Sequence, residues 1–174
     1  ELAAVLAGIE AARRAGFTGL KFNTVVIRGT NDDELCELVR FAASRDAEIR
    51  FIEYMPMGAA RFDARNLTVM AAEMREKLAA EFDLVPDQRS EHDPARGWIC
   101  RRTGARIGFI TSMSENFCAA CNRMRLTAEG GLRPCLHQDA EVSLREILRR
   151  GAPDEEIENA FRAATASKWA GHHM

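Results

Sequence analysis

Helix-like and strand-like periodicities alternate through the first 54 residues, and the links between them are short. Residues 2–14 space Ala, Leu, Glu and Arg as an amphipathic helix that stops at Gly16. Residues 20–27 read as a strand ending before Gly29, and residues 32–44 as a helix with Leu35, Leu38, Val39 and Ala42 on one face. Asn31 and Glu34 form a capping-box-like start to that helix. A second strand over 48–54 runs into Met55-Pro56-Met57-Gly58. This order predicts parallel βα units. Two strands can neither close a barrel nor make a doubly wound sheet, so the remaining strands are expected upstream. The chain opens on Glu1 inside a helical pattern and stops abruptly at Ala-Gly-His-His-Met. It reads as a piece of a longer protein.

After residue 58 the pattern changes. Residues 59–66 read as a link, Thr68 as the cap of a helix over 69–82, and the polar stretch 83–96 as a loop. Residues 98–102 and 106–111 form an expected hairpin about Gly104, and 124–126 with 132–136 a second about Glu129-Gly130-Gly131. Ser143 caps a helix running to Arg150, and residues 154–167 make a last helix. The composition shift near 58–68 places the expected domain boundary there, dividing 1–58 from 59–174.

The bulk numbers exclude several classes. A net charge of −2 over 174 residues argues against a nucleic-acid-binding surface. No apolar run reaches the length of a membrane span, and no signal-peptide pattern opens the sequence. Five cysteines without a secretory signal disfavour a disulfide framework and favour a reducing compartment, with the cytoplasm as default.

Three of those cysteines carry chemistry. Cys118, Cys121 and Cys135 are spaced C-x₂-C-x₁₃-C, with Arg123, Arg125 and Arg133 between them. Thiolates brought together without a metal repel and stay protonated, so this clustering points to a metal or a cluster. Spacing alone leaves two readings open. Structural zinc, with His137 completing a Cys₃His site, is the commoner. The other is a [4Fe–4S] cluster with three cysteine ligands and one iron open. Arg123 and Arg125, on the same side of an extended segment, suit a phosphorylated ligand because guanidinium binds phosphate oxygens bidentately. A solvated strand face with rim salt bridges is the bland reading of the same pair.

The stretch 116–136, Asn-Phe-Cys-Ala-Ala-Cys-Asn-Arg-Met-Arg-Leu-Thr…Leu-Arg-Pro-Cys-Leu, closely resembles the C-terminal cluster motif of the GTP 3′,8-cyclases of molybdenum cofactor biosynthesis. The resemblance extends through Lys21-Phe-Asn-Thr-Val-Val-Ile-Arg-Gly-Thr-Asn-Asp-Asp-Glu-Leu and Ile49-Arg-Phe-Ile-Glu-Tyr-Met-Pro-Met-Gly, and so covers nearly the whole chain. It implies a radical S-adenosylmethionine (SAM) enzyme, a lyase. The implied fold is α/β: the last βα units of an incomplete TIM-like barrel, then an α+β domain carrying a second cluster. By this resemblance Cys118, Cys121 and Cys135 ligate that [4Fe–4S] cluster, whose open iron takes the guanine of GTP. Lys21, Arg123, Met124 and Arg125 match GTP-binding positions, and Arg50 and Met55 match the SAM side. The implied partners are GTP, SAM and the cyclic pyranopterin synthase that takes the product, with a homodimer possible; no nucleic acid or membrane is implied. Taken one by one, Arg50 also suits a buried salt bridge with a neighbouring strand, Lys21 a solvated strand edge, and Met55 core packing.

Two family features are absent from the sequence. The C-x₃-C-x₂-C motif that holds the radical-generating first cluster is not there, and Cys36 and Cys100 read as small core residues instead. Nor is there the family's terminal Gly-Gly, which His172 and His173 do not replace. The 174 residues are therefore expected to hold the second cluster and part of the GTP site, without turning over substrate alone. Two alternatives stay open at this point: a non-enzymatic zinc module binding nucleotide or a partner protein, and a radical SAM relative with another substrate.

Overall fold

A computed structural model describes residues 1–55, 64–88, 93–115, 117–136, 138, 140–169 and 171; of Ala64, Arg65 and Ala120 only the backbone is described. The chain divides into two compact units, Glu1–Asn116 and Phe117–Met174.

The first unit holds helix α1 (Leu2–Arg14), strand β1 (Lys21–Val26), α2 (Leu35–Ala43), β2 (Glu48–Glu53), the single turn α3 (Ala64–Leu67), α4 (Ala71–Ala79), β3 (Leu84–Asp87), β4 (Arg96–Cys100) and β5 (Arg106–Ile110). Its five strands form one sheet in the order β1-β2-β5-β4-β3. β1, β2 and β5 run parallel, whereas β4 and β3 add antiparallel. The βα reading of the first 54 residues is thus met by a parallel core, onto which an antiparallel hairpin is grafted.

Strand alternation decides which face packs. Val26, Ile49, Phe51, Ile107 and Phe109 point to one side, where α2 supplies Leu35, Val39 and Ala42 and α4 supplies Met74 and Leu78. The Phe51 and Phe109 rings lie 6.0 Å apart, at the spacing favoured by tilted aromatic pairs. Cys100 is buried in this core and Cys36 packs against it, as small apolar residues do.

Several local expectations change. The boundary expected at residue 58 falls inside the first unit, because β4 and β5, far beyond it in sequence, hydrogen-bond into the sheet that β2 began. Part of the expected loop 83–96 is β3, whose Pro86 is tolerated because β3 is the edge strand. Asn31 does not cap α2. Its side chain instead closes the turn after β1, accepting from Ile27 N at 2.8 Å and donating to Val25 O at 3.0 Å. Thr68 does not cap α4 either: its hydroxyl donates to Tyr54 O at 3.2 Å. The α4 N-terminus is satisfied by Glu53, whose Oε1 accepts from Ala71 N at 2.8 Å.

The second unit opens with a single 3₁₀ turn over Cys118–Ala120, then β6 (Arg125–Leu126), β7 (Gly131–Arg133), β8 (Val142–Ser143), α5 (Leu144–Arg149) and α6 (Asp154–Ala166). β6-β7-β8 form an antiparallel sheet. The turn between β6 and β7 is held by Thr127, whose N–H donates to Gly131 O at 2.8 Å and whose hydroxyl accepts from Gly131 N at 3.0 Å. Gly130 occupies the left-handed region there at φ 83°, which favours glycine. Leu132, Leu144, Ala160 and Ala164 make the core, with Met124, Val142 and Ile147 packed on it. Ser143 caps α5 as expected, accepting from Glu146 N. Among the described residues no helix is long and apolar enough to cross a membrane.

Candidate functional site

The three cysteines lie on the two segments that flank the open end of the β6–β7 hairpin. Arg125 faces Arg133 in the ladder. Cys121 precedes β6 by four residues and Cys135 follows β7 by two, so both leave the hairpin at the end away from its turn. Cys118 is joined to Cys121 by the 3₁₀ turn, with Cys121 N donating to Cys118 O at 3.1 Å. All three thiols are half-buried and none is in a disulfide. Among the described residues no three His, Cys, Asp or Glu side chains are grouped as one metal ion requires. His137 lies outside those residues, as do His172, His173 and the stretch Pro56-Met57-Gly58.

Cys121 is electrostatically distinct. Burial works against its ionisation, but the backbone N–H, side chain and charge of Arg123, with the charge of Lys168, outweigh it and bring the thiol down to about 7. The thiolate is therefore the form that neutral pH begins to populate, and the form that binds soft metals. In the metal-free chain, the alkylation rate of Cys121 by iodoacetamide should rise through a midpoint near pH 7. Arg123→Ala should move that midpoint upward, as read by mass spectrometry of the labelled peptide. A midpoint in the ordinary thiol range that ignores the substitution would contradict this account.

Arg123 stacks on Phe117 with its guanidinium carbon 4.9 Å from the ring centroid. Met124 turns the other way, onto the core of the second unit, where its sulfur lies 3.8 Å from the Thr165 hydroxyl. Only residues 125 and 126 of this segment are strand; Met124 packs on the core between the exposed Arg123 and the half-buried Arg125. Among the described residues neither Arg123 nor Arg125 forms an ion pair with a carboxylate, so the rim salt bridges of the bland reading are not formed there. Arg133 is engaged with Glu141 at 2.8 Å.

The other predicted residues belong to the first unit. Lys21 pairs in register with Glu48, Asn23 with Arg50, and Arg50 with Gly108. Directly opposed residues point to the same side of a sheet, so Lys21, Asn23, Glu48 and Arg50 share the face opposite the helix-packed core. Arg50 is nearly buried there. Its Nε donates to Glu48 Oε1 at 2.7 Å and its Nη2 to Asp93 Oδ2 at 3.5 Å. The acid it holds most closely lies on its own strand, two residues away, rather than on a neighbouring strand. Gly108 leaves room for the pair: a Cβ there would sit 3.0 Å from Glu48 Oε1 and 3.1 Å from Arg50 Cγ. Lys21 is exposed, with no ion-pair partner among the described residues. Met55 is half-buried, two residues beyond β2.

Sequence reasoning missed two residues that organise these regions. Glu53 is one, since it ties the end of β2 to α4 and to the turn after β5. Lys168 is the other: its ammonium lies 2.6 Å from Cys121 O and 2.9 Å from Arg123 O. Neither has a local signature.

Comparison with known proteins places these motifs. Residues 47–174 match the Molybdenum Cofactor Synthesis C family. The chain belongs to that family. It is 45% identical over 177 aligned positions to a GTP 3′,8-cyclase of Pseudomonas putida, which covers 100% of this chain and 53% of the relative. It is 43% identical to a GTP 3′,8-cyclase of Pelotomaculum thermopropionicum, covering 99% of this chain and 54% of that one. A GTP 3′,8-cyclase of Moorella thermoacetica is 42% identical, with the same 99% and 54% coverage. The chain thus spans about half the length of the curated relatives it matches. The matched stretch includes Arg50, Met55 and all three cysteines, and Lys21 lies before it.

Proposed function

We propose that this chain supplies the substrate-side iron–sulfur site of a GTP 3′,8-cyclase, an enzyme of molybdenum cofactor biosynthesis. Cys118, Cys121 and Cys135 hold a [4Fe–4S] cluster, and Arg123 and Arg125 receive GTP beside it. The observation that carries this reading is the end of the β6–β7 hairpin. Three free thiols lie on the two segments that flank it, Cys121 is already lowered to about 7 beside Arg123, and among the described residues Arg123 and Arg125 have no carboxylate partner.

The residues fit such a cluster by their chemistry. They are soft donors and half-buried, and Cys121 stands next to fixed positive charge that favours its thiolate. A single zinc ion would draw its sulfurs to about 4 Å from one another, given Zn–S bonds of about 2.3 Å. A cubane offers each thiolate a different iron and so accepts a wider set. When bound, a cluster with one iron free of protein ligands supplies a Lewis-acidic position for a base heteroatom. The chain's own residues do the rest. Arg123 and Arg125 neutralise phosphate charge, Met124 helps fix their direction by packing on the core between them, and Lys21 adds a further cation for GTP. Arg50 and Met55 serve SAM: Arg50 meets its carboxylate while remaining oriented by Glu48 and Asp93.

The whole reaction converts GTP to (8S)-3′,8-cyclo-7,8-dihydroguanosine 5′-triphosphate by SAM-dependent radical chemistry, and its product passes to the cyclic pyranopterin synthase of the same pathway. It needs the C-x₃-C-x₂-C cluster that these 174 residues lack, so the chain binds GTP without turning it over. Calorimetric titration of the anaerobically reconstituted chain tests the arginines. Arg125→Ala should weaken GTP binding about tenfold or more, as loss of a charge-assisted phosphate contact does. Unchanged affinity in both Arg123→Ala and Arg125→Ala would overturn the assignment.

A further inference from the structure

We propose that Lys168 is the positioning residue of the cysteine site, holding the Cys121–Arg123 segment in the curved form that presents both the thiol and the guanidinium. Lys168 lies two residues beyond the end of α6, and α6 is anchored by the buried Ala160 and Ala164. Its Nζ donates to Cys121 O at 2.6 Å and to Arg123 O at 2.9 Å, and lies 3.5 Å from Cys121 Sγ. An ammonium has three donors, and all three contacts fall on residues 121–123. Two carbonyls separated by one residue can meet one cation only if the backbone bends around it. Charge-assisted bonds of this kind are about twice as strong as neutral ones.

The second cysteine segment is tied to the same place. Gln138, three residues after Cys135, is buried; its Nε2 donates to Ser167 O at 2.8 Å, and its Oε1 accepts from Trp169 N at 3.4 Å. Residues 167–169 therefore clasp both cysteine segments, with Lys168 on one and the backbone on either side of it on the other. The consequence for a bound cluster rests on the reading of Cys121 as a ligand. An N–H···S contact and a positive charge beside a ligating sulfur favour the reduced state, so Lys168 raises the reduction potential.

Lys168→Met and Lys168→Arg in the 174-residue chain test this in two ways. In the metal-free chain, amide hydrogen exchange over residues 121–126 should quicken about tenfold in Lys168→Met and return near wild type in Lys168→Arg, with α5 unchanged. In the reconstituted chain, Lys168→Met should lower the cluster's reduction potential and weaken GTP about tenfold, with Lys168→Arg restoring both. Unchanged exchange and potential in Lys168→Met would overturn the proposal. So would exchange that rises equally through α5 and β7, because Lys168 would then only hold the fold. Wild-type chain that takes up no iron would overturn the cluster reading instead, and the exchange result would then decide the clasp by itself.

Discussion

Cys121→Ala should strip the chain of its iron. Wild-type chain reconstituted without oxygen should carry about four irons and four sulfides, and each of Cys118→Ala, Cys121→Ala and Cys135→Ala should fall close to none. The physical reason is that the two other thiols are committed to packing elsewhere. Cys36 packs against the core of the first unit and Cys100 is buried within it, so neither can substitute. Cys36→Ala is accordingly the control that should keep the full iron content. Iron and acid-labile sulfide assays on desalted protein read the result directly. Full iron in Cys135→Ala would remove the second segment from the site, and with it the reason for the C-x₁₃-C spacing.

The second large effect concerns the fold that carries Arg50 and Met55. Glu53 is 1% exposed, and its carboxylate is met by four donors. Oε2 accepts from Met113 N at 2.7 Å and Ser114 N at 2.8 Å, while Oε1 accepts from Ala71 N and from the Ser114 hydroxyl. Glu53→Ala leaves these donors without an acceptor and should cost about 3–5 kcal/mol. Domains are stable by only about 5–15 kcal/mol, so the loss is a large fraction of the total. Glu53→Gln keeps the shape but turns an amide toward backbone N–H groups, and should cost about 2 kcal/mol. Trp98 sits on β4 in the same unit, so its fluorescence in a urea titration reports the transition. A change under about 1 kcal/mol for Glu53→Ala would mean that the bonds are replaced by water at little cost.

These two predictions also mark what the sequence discloses. The βα units were legible because Phe22 and Val26 alternate with Lys21, Asn23 and Val25, and because Leu35, Val39 and Ala42 recur at helical spacing. The cysteine site is legible because its three cysteines lie within 18 residues and its arginines sit between them. What stayed hidden depends on contacts between distant residues. Thr68 had the right chemistry and position to cap α4, yet the acceptor came from Glu53 at the end of β2, 18 residues before the Ala71 N–H it accepts from. Asn31 was drawn from the helix to the preceding turn, where two backbone groups needed partners. The boundary expected near residue 58 falls within the first unit, because β2 pairs with β5, a strand about 50 residues later. Pro86 hid β3, since a proline speaks against a strand unless that strand is known to be an edge. Lys168 lies 47 residues from Cys121, and a lysine just past a helix C-terminus is ordinary in any sequence.

The most direct test is the electron paramagnetic resonance spectrum of the reduced, reconstituted wild-type chain with and without nucleotide. A [4Fe–4S] signal that shifts when GTP is added and does not shift with ATP is the expected result, as binding of the guanine base at the proposed open iron requires. A tightly bound zinc in place of iron, or a cluster signal that GTP leaves unchanged, would contradict it.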